Sequence, residues 1–476
     1  MADPLKRVAE YGRALFGRLD EFFRRATGTS AEQFSSVESF GEVVRQRANE
    51  LGPRGEAAFR WLDTEIRAFY AQRGVEAFGD ATQLGGMKLV LGGSRFRQSQ
   101  LASVSTSVLY SDTVLIPDPV MPWLERARTE EKFRHVLLLE AVHTLLQLKP
   151  LVDADLPYPP VVVFPSWEKL LEDHDAQTQA GISQLVIDTL CSSLGEELSS
   201  LDDVRDFVDR HADRFCEAVD QQHLFVAPGG SIDEPLTQAL ARYDAEMRTW
   251  RTPEWLEAYD RLPLHSRVLN GILERITPVY HLLENANEFA SHPLMCLEQH
   301  AHYFRIVSHT SSTRLQRLGV LNPNTVAMVN ALGSRRLRWL GSIPIDTLSR
   351  LRRDQENVTF RQRLAAAVGR LEEAALNSVD RVAAEVCHEI SAAIGEHEKE
   401  LRTIQAKYNR LHGQTAVLTT AAAGAALIPA LAPLLGGAVP IALAAKYGHD
   451  KIAELAEKRR YTRSLIGVLA ETKPKS

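Results

Sequence analysis

The chain has 476 residues, a length that predicts roughly two to four domains and ample material for a hydrophobic core. Its apolar fraction of 45% and charged fraction of 24% are ordinary for globular proteins, which excludes a disordered or collagen-like chain. The net charge is −6, with an acidic excess at positions 196–260 and an arginine-rich stretch at positions 335–370. We expect these stretches either to dock on each other or to place arginines against phosphates of lipid or nucleic acid.

The sequence carries no signal for export. The four cysteines stand far apart without a CxxC pair, which is typical of reduced intracellular thiols. The amino-terminal residues carry charges throughout and show no apolar core of the signal-peptide type. Only Trp339 and Phe360 lie among the arginines of 335–370, too few aromatic residues to stack along a single strand. We therefore predict a cytoplasmic protein without sequence-specific recognition of nucleic acid.

Positions 1–80 predict an N-terminal helical region. Val8, Leu15 and Leu19 share one helical face, and Phe59 and Ile66 continue an apolar row further along. An amphipathic first helix of this kind either packs in a core or lies on a membrane surface, and core packing is the commoner arrangement.

Positions 81–165 predict a mixed α/β connector. The sequence MKLVL between two glycine pairs indicates a short strand or a turn-rich connection. A β-branched run within 108–119 and the run at 161–164 predict two strands that pair as a small sheet. Asp112 and Asp118 flank the first of these strands, and as candidate catalytic carboxylates they could face a common cleft. Neither glycine pair matches a phosphate-binding loop.

Positions 166–345 predict a central helical domain whose first half is acidic. Ser166 and Lys169 match the SxxK pair of some acyl-transfer enzymes, but serine at a helix start after proline ordinarily caps free backbone amides. The stretch His281–His302 holds acids, a cysteine and histidines at successive i+4 positions: Glu284, Glu288, His292, Cys296 and His300. One continuous helix would present them together to a metal, but Pro293 interrupts that helix, and we predict no metal site.

Positions 346–412 predict one long amphipathic helix. Apolar residues recur from Leu364 to Leu411 with a mean step of about 3.6, the period of a straight helix packed lengthwise. It contains the ExxH pair Glu385 and His388, and a second such pair is Glu140 and His143, as in carboxylate-bridged di-iron bundles. His388 faces away from the apolar row, so polar edges on packed helices explain both pairs better.

Positions 413–476 predict an apolar hairpin and a closing basic helix. Thr415–Ala445 is a run of 31 residues without a charge, and it contains Pro429, Pro433 and Pro440. Because proline interrupts helices, we expect two arms of about 20 Å each, shorter than the ~30 Å hydrocarbon core of a bilayer. The large aliphatic residues contribute only roughly −3 to −6 kcal/mol toward insertion. We therefore predict conditional insertion into a membrane.

The residues predicted to insert are the ten large aliphatic side chains of this run: Val417, Leu418, Leu427, Ile428, Leu431, Leu434, Leu435, Val439, Ile441 and Leu443. Basic residues beyond the run are predicted to contact anionic lipid: Lys446, Lys451, Lys458, Arg459 and Arg460.

The predicted fold class is mainly α: an elongated multi-helix bundle with a small two-stranded β element and a C-terminal apolar helical hairpin. From about residue 347 onward the layout is similar to that of helical-bundle pore formers, in which a bundle hides an apolar hairpin until membrane contact. That similarity implies a non-enzymatic, toxin-like or phage-defence effector that binds or permeabilises the inner face of the cell membrane. It would need no cofactor and would self-associate or bind a protein partner. The alternative is a soluble helical enzyme or interaction module in which the hairpin is buried core.

Overall fold

The computed structural model describes residues 3–34, 40, 52–91, 101, 104–105, 107–108, 111–125, 131–165, 174–289, 291–295, 298–317, 352–353, 381, 385, 388–389, 392 and 396. This part of the chain is mainly helical, which confirms the predicted class. The domain boundaries proposed from the sequence stay predictions.

The helices of the first half are α1 (Pro4–Thr27), α2 (Gly52–Gln83), α3 (Met121–Glu125), α4 (Glu131–Leu146), α5 (Lys149–Asp153) and α6 (His174–Leu194). Those of the second half are α7 (Leu201–Arg210), α8 (Ala212–Gln221), α9 (Leu236–Trp250), α10 (Pro253–Asp260), α11 (Leu264–Glu288) and α12 (Glu298–Arg317).

A parallel sheet lies at the centre of the described structure. Its strands are β1 (Lys88–Leu91), β2 (Thr113–Pro117), β3 (Val161–Phe164) and β4 (His292–Leu294), in the spatial order β3-β2-β1-β4. Leu89 and Leu91 point into one hydrophobic core, whereas Val90 between them points into a second core on the opposite face. Because both faces are covered, the strands are apolar at nearly every position rather than alternating with polar residues.

The first face of the sheet is covered by α1, α2 and α4. Helices α1 and α2 are antiparallel, since Arg7 Nε donates to Asp80 at 2.7 Å near one end of the pair and Phe22 packs on Phe59 towards the other. Tyr11 stacks on Phe69 between them, with ring centroids 5.1 Å apart. Helix α1 therefore packs in the core rather than lying on a surface, which is the arrangement that we expected from the sequence.

The second face is covered mainly by α6, α11 and α12. The phenol of Tyr243 on α9 donates to Glu274 on α11 at 2.8 Å, which fixes these helices to each other. Gly271 on α11 lies directly against the ring of Phe225, where any Cβ would overlap the ring. This close approach requires glycine and sets how deeply α11 packs.

The predicted β element was too small, and the predicted bundle was wrong for this part of the chain. The two expected strands do pair, as β2 with β3, in parallel. The sheet adds β1 and β4 and separates two helical layers, an α/β/α sandwich. The sequence did not reveal β4, because it is only three residues long and contains Pro293.

Candidate ligand-binding edge of the sheet

The described residues that come next in the chain after β1 and after β4 lie on opposite faces of the sheet. After β1 the chain enters the first core, where Val104 and Val108 are buried. After β4 it enters the second core through α12, where Tyr303 and Val307 are buried. The two strands are direct neighbours, with Leu91 opposite Leu294. In open parallel sheets such a reversal opens a crevice outside the carboxyl ends of the strands, and ligands bind there. We call the region at the carboxyl ends of β1 and β4 the switch crevice.

Helix α12 begins at the same edge of the sheet. Met295 follows β4 directly and is buried, and α12 starts at Glu298, only three residues further on. The first turn of any helix leaves backbone N–H groups without intrahelical partners and carries the positive end of the helix dipole. The switch crevice is therefore bordered by a helix terminus that favours an anionic group.

Asp118 lies beside this region, at the carboxyl end of β2. Its backbone N–H donates to the carbonyl of Phe164 at 2.7 Å, which continues the pairing of β2 with β3. Its carboxylate accepts the hydroxyl of Tyr70 at 2.9 Å and the backbone N–H of Val120 at 2.7 Å. Burial raises the pKa of Asp118 to about 6, although these hydrogen bonds oppose the shift. The carboxylate holds the turn into α3 and ties α2 to the sheet.

A second tyrosine adjoins this carboxylate without bonding to it. The Tyr11 side chain is buried, and its hydroxyl has no hydrogen-bond partner in the described part of the chain. Burial and the negative charge of Asp118 raise the pKa of Tyr11 well above its ordinary value. Tyr11, Tyr70 and Asp118 thus form an enclosed polar cluster that positions α1, α2 and β2.

Asp112 lies at the other end of β2, so the expected common cleft with Asp118 was wrong. The Asp112 carboxylate accepts the backbone N–H of Met87 at 2.8 Å. A strand of five residues separates the two carboxylates, with Asp112 at the amino edge of the sheet and Asp118 at the carboxyl edge. Residues at the two ends of an intact strand lie at opposite edges of the sheet, so their side chains do not line one cleft.

The amino edge also holds a buried arginine from far along the sequence. Arg352 donates to the backbone carbonyls of Val108 at 2.9 Å, of Asp112 at 3.1 Å and of Ser111. Lys88 at the start of β1 donates to the carbonyls of Ala81 and Thr82 in the last turn of α2. Burial lowers the pKa of Lys88 to about 8. These cations cap backbone carbonyls and close this edge.

The two ExxH pairs do not form one site. His143 is fully buried among aromatic rings, with the Phe40 ring centroid at 4.2 Å, and burial lowers its pKa to about 4. Glu385 and His388 are exposed, as the helical register predicted for His388. A buried imidazole and an exposed one cannot bind the same ion, so these two pairs do not form the di-iron site that we considered and disfavoured from the sequence.

The residues of 281–302 do not share one helix. His281, Glu284 and Glu288 belong to α11, His292 opens β4, and His300 and His302 belong to α12. The ring of His302 instead bonds to the carbonyl of His223 at 2.8 Å. Within the described residues no group of three histidine, cysteine or acidic side chains is arranged to hold a metal ion.

Other sequence candidates lie outside the described residues. These are the Ser166–Lys169 pair, Cys296, the apolar run Thr415–Ala445 and the basic residues that follow it. None of the helices that the structure describes is apolar over a length that would cross a bilayer.

The switch crevice was not predicted from the sequence. Its borders come from strands that are far apart in the chain, and β4 carries no length or periodicity signal. In the sequence the run MKLVL is followed by a glycine pair, which matches no phosphate-binding motif. Comparison of the chain with protein-family models, with curated proteins and with solved structures finds no match.

Proposed function

We propose that the α/β body binds a small phosphate-bearing ligand, of nucleotide size, in the switch crevice. A single observation carries this proposal: neighbouring strands β1 and β4 send their connections to opposite faces of a parallel sheet. This is the place where sheets of this topology bind ligands.

The chemistry of the edge supports an anionic ligand. The amino end of α12 brings the positive end of a helix dipole next to β4, and its first backbone N–H groups have no partner within the helix itself. The buried Leu91, Leu294 and Met295 form an apolar base beneath it. An apolar base with a few directional donors is the usual composition of a small-molecule site.

The test is ligand-dependent stabilisation with ATP, NAD⁺ and inorganic phosphate. A ligand that binds only the folded protein raises the free energy of unfolding by about 2.7 kcal/mol at one hundred times its dissociation constant. The variant Gln299→Glu places a negative charge in the first turn of α12 and should weaken binding about two- to fivefold.

Two variants separate this effect from a structural one. Gln299→Met removes the hydrogen bond from Gln299 to the carbonyl of Gly230 without adding charge, and it should keep the affinity. Gln72→Glu adds the same charge at an exposed position of α2, which packs on the opposite face of the sheet from α12, and should also keep it. The proposal fails if none of the three ligands stabilises the protein at millimolar concentration.

A second function concerns the C-terminal part of the chain. We propose that the uncharged run Thr415–Ala445 inserts conditionally into membranes, so that the protein binds or permeabilises the inner face of the cell membrane. The support is the sequence itself: a run of 31 residues without charge, bent by prolines and followed by a net basic stretch. In this proposal the protein is cytoplasmic before insertion, is not an enzyme, and self-associates or binds a partner as a toxin-like or phage-defence effector.

Dye leakage from liposomes tests this second proposal. The full chain should release dye from vesicles that contain anionic lipid, and a variant without 415–445 should not. The double variant Leu427→Asp and Leu434→Asp preserves the length of the run and should be inactive as well, because a carboxylate in the hydrocarbon region is costly. If deletion instead makes a soluble, inert protein insoluble, the run is buried core and the alternative interpretation holds.

A further inference from the structure

A second candidate site lies on the first face of the described structure, in a small open cleft between α2, α3 and α4. Its volume is about 250 Å³. The cleft shares no residue with the switch crevice. We call it the aromatic cleft, because its base consists of Phe59, Trp123 and Leu138 and one wall is His135.

The base of the aromatic cleft is flat and apolar. Phe59 and Trp123 are each only 5% exposed, so the cleft reaches no more than an edge of each ring. The imidazole of His135 lies parallel to the Phe59 ring, with centroids 3.7 Å apart and an angle of 7° between the planes. Planar rings and aliphatic side chains at such a surface favour a planar, largely apolar group of the ligand.

The rim carries two acids, Glu56 and Asp63, and one arginine, Arg60. Glu56 and Arg60 are exposed, line the cleft, and lie one turn apart on the same face of α2. Within the part of the chain that the structure describes, neither side-chain charge has a hydrogen bond or an ion pair. The next acid, Asp63, differs, because Arg67 Nε donates to its carboxylate at 2.7 Å. The rim therefore offers a free carboxylate beside a free guanidinium.

The volume of the cleft and the charges on its rim together restrict the class of ligand that it can bind. Sites for drug-sized ligands occupy ~300–1,000 Å³, so this cleft accommodates only a small ligand, about one ring system. A carboxylate and a guanidinium side by side match an ammonium and a carboxylate of one molecule. A phosphate-bearing ligand fits less well, because Glu56 and Asp63 would both repel it.

We infer that the aromatic cleft binds a free aromatic α-amino acid. Its ring lies on Phe59, His135 and Trp123, its ammonium pairs with Glu56, and its carboxylate pairs with Arg60. This inference does not depend on either proposed function, because none of its residues belongs to β1, to β4, to α12 or to the sequence 415–445.

Calorimetric titration with L-tryptophan and two analogues tests the inference on the full chain. Tryptamine lacks the carboxylate and indole-3-propionate lacks the ammonium, so each analogue should bind more weakly than L-tryptophan. Glu56→Gln should weaken binding of L-tryptophan about two- to fivefold, the range of exposed ion pairs, and leave indole-3-propionate unaffected. Arg60→Gln should weaken L-tryptophan similarly and leave tryptamine unaffected.

The matched control is Glu76→Gln, which removes an exposed carboxylate from the same helix outside the cleft. It should leave all three affinities unchanged. Because Glu56 and Arg60 are exposed, their variants are expected to fold, and a circular dichroism spectrum verifies it. The inference is overturned if L-tryptophan does not bind at millimolar concentration. It is also overturned if both rim variants bind L-tryptophan as the unmodified protein does.

Discussion

The charged and polar side chains at the two edges of the central sheet differ in their hydrogen bonding. At the amino edge Lys88, Asp112 and Arg352 are all bonded to backbone atoms, and Arg352 alone serves three carbonyls. At the carboxyl edge Asp118 is bonded, but the hydroxyl of Tyr11 beside it has no partner in the described part of the chain. The charged side chains at the amino edge are therefore bonded and contribute stability, whereas the Thr113 hydroxyl at the start of β2 has no partner in the described part of the chain. The carboxyl edge is where we propose that a ligand binds, because the chain continues to opposite faces of the sheet after β1 and β4.

The largest expected effect tests whether the amino edge depends on Arg352. Arg352→Ala should lower the free energy of unfolding by about 3–5 kcal/mol, because three buried carbonyls lose a charged donor. Arg353 is exposed and serves as the control, since Arg353→Ala should change the free energy of unfolding by less than about 0.5 kcal/mol. Urea denaturation measures both. Equal effects of the two variants would contradict the assigned role of Arg352.

A comparable effect is expected from Asp118 at the carboxyl edge, as a function of pH. The folded protein keeps the Asp118 proton up to a pKa of about 6, whereas the unfolded chain releases it near 3.8. The free energy of unfolding therefore falls as pH rises between these values and is constant with respect to this group above them. From pH 3.5 to 7 the unmodified protein should lose on the order of 3 kcal/mol relative to Asp118→Asn.

The measurement for Asp118 is the difference in unfolding free energy between the two proteins, so that the other titrating groups cancel. His143 has the opposite effect on the pH dependence of the unfolding free energy. Its pKa in the folded protein, about 4, lies below its ordinary value of 6.5, so its contribution to stability is lost as pH falls from 6.5 to 4. A difference between the two proteins that stays flat with pH would show that Asp118 is not buried as described.

A smaller effect is expected at the turn that leads into β1. Gly86 has φ of 77°, and a Cβ there would lie 2.5 Å from the Asp112 carboxylate. Gly86→Ala should therefore lower the free energy of unfolding by about 2 kcal/mol. Gly85→Ala is the matched control, because its Cβ would meet only the Tyr158 hydroxyl at 3.8 Å. Thermal denaturation of both variants distinguishes a strained turn from a tolerant one.

The smallest effects separate the two tyrosines at the carboxyl edge. Tyr70→Phe removes the hydrogen bond to Asp118 and should cost about 1–2 kcal/mol of stability at neutral pH. Tyr11→Phe removes a buried hydroxyl without a partner and should be neutral or slightly stabilising. Tyr70→Phe should also raise the pKa of Asp118 further, since that hydrogen bond lowers it. The same result for both tyrosines would mean that Tyr11 has a partner too.

Local sequence patterns predicted the helices and two of the strands because these depend on short-range periodicity. The row Leu15, Leu19 and Phe22 is buried on α1 as expected, and the β-branched runs became β2 and β3. The site was less predictable. Asp112 and Asp118 are six positions apart in the sequence. This spacing alone does not show at which edge of the sheet each one lies, because that depends on the strand between them.

The sequence by itself determined the helical character, the absence of a familiar motif and the presence of one long uncharged run. Each of these features depends on residues that are close together in the chain, so it can be recognised in the sequence without knowledge of tertiary contacts. Only the tertiary structure decided that β1 lies between β2 and β4, that Arg352 reaches the amino edge, and that Phe59 and Trp123 line one cleft. Contacts between residues far apart in the chain are set by packing and burial of the whole core, and they leave no periodic signal in one sequence.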